Sequence, residues 1–358
     1  MKAFLIFSGT NDRAWTTLAH FFVINDVSFF IVARSRTDIC FQTAYSSRVV
    51  LTRETQRIEK EDIEKIGLAL RKKGVAHAVI CPTSEYVNLA YFKNLHWFQR
   101  ENMELGAGPE DSYSVLTNKK RAYNHFEGHG LHLAKEMSPN QLSFPCVAKP
   151  RKAIHNSKIL YPRFLRTLED FEQLCSEKDV KLYFFEEYLD GESYYLCLYR
   201  SADGRIAKYS QKNLAQQPEG KSIVAAIPDN LHETPIGEYA IERIMASGFH
   251  GPAMVELYLL NGKWYFIEVN PRFWGPLRLS LFCEPQLIAL FVEDWLGLSC
   301  VNYPPSLPEY IWYKGAKDYI GSLRLYGTAI SDIASYFGEH KNADVYNHPH
   351  TQQLACKN

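Results

Sequence analysis

Two acids and an amide interrupt an apolar stretch near the middle of the C-terminal half. Residues 251–277 read GPAMVELYLLNGKWYFIEVNPRFWGPL, and Glu256, Glu268 and Asn270 fall where strands should be apolar. Side chains alternate along a strand, so Glu268 and Asn270 share a face, with their oxygens about 7 Å apart by strand rise. Such a pair suits a hard cation, because Mg²⁺ takes oxygen ligands, keeps some water and completes its shell with nucleotide phosphates. Whether Glu256 joins them depends on register. A two-residue Asn261-Gly262 loop pairs Leu260 with Lys263, opposes Glu256 to Ile267 and sends the acids to opposite faces. A three-residue loop with Gly262 in a bulge brings Glu256, Glu268 and Asn270 together, and this register is the one predicted. Facing carboxylates raise each other's pKa unless a cation neutralises them, which favours a metal site. Strand acids most often face solvent, but here Pro271-Arg272-Phe273-Trp274-Gly275 follows: a turn, a guanidinium suited to bidentate phosphate contact, and packing aromatics.

The elements that position these groups can be read from periodicity. Residues 2–7, 28–33 and 75–81 are apolar runs separated by helical stretches such as 57–73, which predicts a parallel sheet with its useful loops at Ser8-Gly9-Thr10 and Pro82-Thr83-Ser84-Glu85. Gly106-Ala107-Gly108-Pro109 punctuates the chain. A helix at about 118–128 and strands near 144–149 and 181–187 follow. Strands 192–200 and 205–212 flank a Ser201-Ala202-Asp203-Gly204 turn, a helix covers 234–248, and 252–259 with 264–270 form the acidic hairpin. One helix is expected over 279–298, and the proline-rich 303–308 announces a C-terminal extension.

Whole-chain numbers exclude several classes. At 358 residues the chain exceeds what one core normally serves, so two or three subdomains around a cleft are expected. Lys plus Arg equals Asp plus Glu at 40 each, so no global field draws nucleic acid or an anionic membrane, and phosphate must be gripped locally. The eight cysteines are scattered singly, as reduced thiols of a cytoplasmic protein would be. No stretch reaches the roughly 20 apolar residues of a membrane span. His125 and His129 stand at helical i, i+4 spacing but lack the pattern with a catalytic Glu directly after the first, and the histidines are read as surface or core groups.

The Glu before a hairpin and the Glu-x-Asn-Pro-Arg after it, here Glu256 and Glu268-Val269-Asn270-Pro271-Arg272, resemble the ATP-grasp superfamily. The resemblance implies that Glu256, Glu268 and Asn270 hold one or two Mg²⁺ between the ATP phosphates, with Mn²⁺ able to substitute. It makes Arg272 and Lys149 the catalytic pair that steadies the transferred phosphate. Thr117-Asn118-Lys119 resembles the family's helix start and residues 144–150 its strand with a phosphate-contacting lysine, so Lys119 and Lys149 are implied at the nucleotide. Residues 185–192 resemble its hinge, which puts Glu186, Glu187 and Leu189 at adenine and Glu192 at ribose; some members carry that acid one position later, where this chain has Ser193. Lys212 resembles a basic residue near the substrate side. One departure concerns residues 151–158, which lack the glycines usual in the flexible loop, so that closure would fall to Lys152, Asn156, Ser157 or Lys158.

The implied fold is α/β: an ATP-grasp fold of two α+β subdomains enclosing the nucleotide, preceded by a Rossmann-like domain. Expected bounds are 1–112 for that first domain, 113–188 for the small subdomain, 189–300 for the large subdomain with the metal site, and 301–358 for the extension. The implied activity is an ADP-forming ligase that joins a small carboxylate to an amine through an acyl phosphate. The alternatives are a non-catalytic ATP-binding module and a phosphotransferase or carboxylase on the same scaffold.

Overall fold

Apolar strands joined by amphipathic helices build the first layer of the computed structural model, which describes residues 1–9, 11–55, 57–151, 154–155, 158–177, 180–305, 309–327 and 332–355. Strands β1 (Lys2–Phe7), β2 (Phe29–Ala33), β3 (Val49–Thr52), β4 (His77–Ile80) and β5 (Met103–Leu105) form a parallel sheet in the order β3-β2-β1-β4-β5. Helices α1 (Asp12–Ile24), α2 (Lys60–Lys72), α3 (Glu85–Lys93) and α4 (Leu95–Arg100) connect or flank them. In α2 the buried Ile63, Ile66 and Leu70 recur at helical spacing, and a capping box between Glu59 and Asp62 fixes its start.

Helices α5 (Glu110–Thr117) and α6 (Lys119–Phe126) then lead into strands β6 (Leu131–Leu133) and β7 (Glu136–Met137). Strands β8 (Cys146–Pro150), β11 (Arg163–Leu165) and β12 (Tyr183–Glu187) complete a small antiparallel sheet, β11-β8-β12-β7, over which α7 (Leu168–Ser176) packs. Between β8 and β11 lies the hairpin of β9 (Ile154–His155) and β10 (Lys158–Ile159). The side chains of Lys152, Asn156, Ser157 and Lys158, expected to close this loop, lie outside the described residues.

The large sheet runs β18-β15-β14-β13-β16-β17-β6, from β13 (Glu192–Arg200), β14 (Ile206–Gln216), β15 (Ile223–Asp229), β16 (Gly251–Leu260), β17 (Lys263–Asn270) and β18 (Tyr310–Ile311), with β19 (Arg324–Leu325) pairing to β14. Strand alternation sorts its residues between two cores. Tyr195, Cys197, Tyr199, Met254 and Tyr258 join a cluster with Phe4, Trp15, Trp274 and Phe291, so this face closes directly on the first domain. Leu196, Leu198, Val255 and Leu257 pack on the other face with α6 and α8 (Pro235–Ala246). The single helix expected over 279–298 is two, α9 (Leu277–Cys283) and α10 (Gln286–Leu296), because Pro285 cannot continue the first. The C-terminal residues add α11 (Tyr313–Ala316) and α12 (Ile333–Glu339) and contribute β18 and β19 to the large sheet. No helix among the described residues is long and apolar enough to cross a membrane.

Candidate active site

The β16–β17 hairpin turns through Asn261 (φ 51°) and Gly262 (φ 74°), both left-handed, as a two-residue primed turn requires. Leu260 pairs with Lys263 and the ladder holds that register to Leu257 opposite Phe266. Ile267 is then passed over, and Glu256 stands opposite Glu268, with Met254 opposite Asn270. The expected outcome, three oxygen-bearing side chains on one face, is what the hairpin delivers. The expected device is not: the turn has two residues, and the bulge that corrects the parity lies at Ile267 rather than Gly262.

Glu256 is buried at 6% exposure. Its Oε1 accepts a hydrogen bond from Ser193 Oγ at 3.1 Å. Ser193 accepts in turn from Asn213 Nδ2 at 2.8 Å, and Asn213 Oδ1 accepts from Gln211 Nε2 at 2.8 Å. Burial, and next the facing Glu268, push the Glu256 carboxyl well above the usual carboxylate range. Glu268 moves the other way. Burial opposes its charge, but Lys119 Nζ at 3.0 Å and Asn270 Nδ2 at 2.7 Å hold it below that range. One member of the pair is thus poised as a carboxylate while its neighbour favours the proton, an arrangement that a divalent cation would replace with two charged ligands.

Asn118 caps α6, its side chain accepting from the Arg121 amide, and so places Lys119 in the first turn and Tyr123 one turn later on the same side. Lys149 arrives from β8. Its Nζ donates to Tyr123 Oη at 2.8 Å and pairs with Glu186 at 2.7 Å, and all three side chains are buried. Strand pairing puts Glu186 opposite Val147 and Phe184 opposite Lys149, so the acid and the lysine share a face of the small sheet. Arg272 donates to Asn270 Oδ1 at 3.2 Å and to the Phe273 carbonyl at 3.1 Å. The Asn270 amide offers nitrogen to Glu268 and oxygen to Arg272, and a half-turn of the amide would present oxygen to a cation beside Glu268. An all-oxygen set of two carboxylates and one amide fits Mg²⁺.

Two expected ligands sit elsewhere. Glu192 and Lys212 pair with each other at 2.7 Å, and Glu192 also accepts from Tyr194 Oη at 3.0 Å. Register puts Tyr194 opposite Lys212 and Tyr195 opposite both Gln211 and Glu256, so Glu192 and Lys212 project from the face away from the acids. Ser193, Gln211 and Asn213 are their counterparts on the acidic face. The hinge residues are each engaged. The Glu187 carboxylate accepts from the Lys135 amide at 2.9 Å, and the carbonyl of the buried Leu189 accepts from Arg324 at 3.1 Å. Arg324 also lies over the rings of Tyr188, Tyr258 and Tyr326, within 4.9, 5.4 and 4.8 Å of their centroids.

The hairpin opens into a cleft of about 660 Å³ between the parallel sheet and the large sheet, lined by Lys119, Glu268, Asn270 and Arg272 on one side and by Glu85, Arg34 and Arg53 on the other. Glu85, the first residue of α3, faces Arg272, Lys119 and Glu268; burial raises its carboxyl and the two cations partly offset this. Arg13 of α1 clamps the cleft floor. Its guanidinium donates to the Ile223 carbonyl, Tyr310 Oη and Ser222 Oγ at 3.0 to 3.1 Å and lies 3.9 Å over Trp312. Gly275 permits this approach, since a Cβ there would stand 2.6 Å from Arg13 Cζ. Neither Arg13 nor Glu85 carries a local signature that singles it out, although the loop leading into Glu85 lies where a parallel sheet puts its functional loops.

Several solved structures share this architecture. An ADP complex of N5-carboxyaminoimidazole ribonucleotide synthetase superposes with a TM-score of 0.63 at 15% identity, over 89% of this chain and 85% of that one. The biotin carboxylase domain of Hydrogenobacter thermophilus 2-oxoglutarate carboxylase, in complex with MgADP, ADP and bicarbonate, gives 0.61 at 11% identity, over 84% and 71%. The N5-carboxyaminoimidazole ribonucleotide synthetase of Thermus thermophilus gives 0.60 at 15%, over 84% and 80%. No family model matches the chain, and no curated protein does. The fold is therefore the ATP-grasp fold, entered from a Rossmann-like first domain.

Proposed function

We propose that this chain is an ATP- and Mg²⁺-dependent, ADP-forming ligase that joins a small carboxylic acid to an amine through an acyl phosphate. The observation that carries the reading is Glu256 directly opposite Glu268 on one face, with Asn270, Lys119 and Arg272 around them. Bound there, Mg²⁺ would supply charge neutralisation at the phosphate chain. The chain's own groups do the rest. Lys149 and Lys119 offer ammonium donors to phosphate oxygens, and Arg272, at the mouth of the hairpin, offers a planar fork for the transferred phosphoryl group. Arg34 and Arg53 line the opposite wall and would orient an acid whose carboxylate oxygen attacks the γ-phosphorus, with ADP leaving. An amine nitrogen then attacks the acyl carbon and releases phosphate; no protein nucleophile is required.

ADP release measured across a panel of acids and amines, with and without Mg²⁺, tests the reading, with hydroxylamine as a trap for the activated acid. Hydroxamate formation is expected with the right acid. Its absence across a broad panel overturns the acyl-phosphate route. A carboxylase is the second reading, because two neighbours in fold are a carboxylase domain bound to bicarbonate and a carboxyaminoimidazole synthetase. Bicarbonate-dependent ADP release without any added organic acid would select it. The seven described cysteines are all unbridged, which suits the cytoplasm as the place of action.

A further inference from the structure

A histidine of α1 meets two from the far end of the chain, away from the cleft. His20 lies on α1, and His348 and His350 lie in the C-terminal segment that crosses it. One nitrogen of each ring falls within 4.8 Å of a nitrogen of each of the other two. The ring centroids stand 4.5 Å apart for His20 and His348, 5.9 Å for His20 and His350, and 6.1 Å for His348 and His350. The Nδ1 atoms of all three are buried and have no hydrogen-bond partner among the described residues, and His348 is only 6% exposed. A buried polar nitrogen without a partner carries a desolvation cost, and three in one place call for a common occupant.

We propose that His20, His348 and His350 form a binding site for a transition-metal dication of the zinc class, which fastens the C-terminal segment to α1. Imidazole suits zinc and its neighbours, and three histidines with one open position are a sufficient set. Nitrogens bound to tetrahedral zinc at about 2.0–2.1 Å stand about 3.4 Å apart, so small ring rotations close the observed spacing. Burial first, then the nearby Arg278, lowers His348 and His20 below the usual histidine range. Arg278 repels a dication as it repels a proton, but its guanidinium is engaged by the Val345 and Asn347 carbonyls at 2.8 and 2.9 Å, and Asp344 partly offsets its charge. A proton gains one ring, whereas a metal gains three. The bonds from Arg278 also fix the segment that presents His348 and His350.

The untagged full-length chain, stripped with chelator and dialysed against micromolar Zn²⁺, tests the site by elemental analysis. One equivalent of zinc per chain is expected, with Mg²⁺ unable to displace it. His348→Gln should lose at least about tenfold in affinity, and so should His20→Gln, whose ring is less buried, should the first variant fail to fold. Zinc below about a tenth of an equivalent in the wild type overturns the proposal. So does equal binding by a folded His20→Gln or His348→Gln chain, which would place the ion elsewhere.

Discussion

Glu256 and Glu268 face each other across the β16–β17 hairpin only because the ladder skips Ile267. Their charges then part: burial and the facing Glu268 raise Glu256 against the hydrogen bond from Ser193, whereas Lys119 and Asn270 hold Glu268 low despite its burial. Replacing Glu268 by Gln keeps the shape but removes the anion that Lys119 and a cation would share. Mg²⁺-dependent ADP release should fall by about 10²-fold or more, with the circular dichroism spectrum unchanged. Retained activity would remove the metal assignment.

Glu256 offers the opposite trade. Its carboxyl is raised by burial and by Glu268, so the folded protein binds a proton there that the unfolded chain releases. Stability from this group is therefore full below its ordinary value of 4.5 and declines as pH rises through the raised one. His20 and His348 are depressed and act in the other direction, favouring the fold above the ordinary histidine value of 6.5. The difference between wild type and Glu256→Gln isolates the carboxyl. Without divalent ions the variant should be more stable at pH 8 by about 1 kcal/mol, about 2 °C in Tm, and the gain should vanish near pH 4. Activity should fall nonetheless. A gain independent of pH would refute the assigned protonation.

Arg324 ties the C-terminal segment to the hinge through the Leu189 carbonyl, the Asp190 carboxylate at 3.2 Å and three tyrosine rings. The ion pair is largely exposed and contributes little, but the stacked, half-buried guanidinium contributes about 1–2 kcal/mol. Arg324→Ala should lower Tm by about 2–4 °C, whereas Arg324→Lys should recover only part, since an ammonium cannot stack in the same way. Equal Tm values for Lys and Arg would show that charge alone is at work.

Particular residues show what the sequence made legible. Alternation and the Asn261-Gly262 turn locate the hairpin, and the acids on it stand out because they interrupt strands that are otherwise apolar. Ile267 could not be identified as the bulge, because a bulge that needs no left-handed residue leaves no mark in composition. Glu192 lies on the other face for a related reason: motif spacing in a hinge tolerates a shift of one, and one residue along a strand changes the face; Lys212, opposite Tyr194 on the next strand, shares that face. Strands β3 and β5, of four and three residues, are too short for periodicity to register. Arg13 acts through Ser222, Ile223 and Tyr310, and His20 meets His348 and His350, so both depend on tertiary approach across more than two hundred residues.

The Lys149–Glu186 pair separates stability from nucleotide binding. Glu186 is 1% exposed and its carboxylate is 2.7 Å from Lys149 Nζ, so Lys149→Met would strand a buried charge. Breaking one side of such a pair costs about 3–5 kcal/mol, whereas removing both charges is often neutral. Denaturation of Lys149→Met should therefore show a loss of that order, and adding Glu186→Gln should return most of it. Nucleotide affinity, read by calorimetry with ATP and Mg²⁺, should fall at least about tenfold in the single variant and stay low in the double one, because the ammonium is absent from both. If the double variant instead bound ATP as the wild type does, Lys149 would serve only to neutralise Glu186, and the phosphate contact assigned to it would be lost.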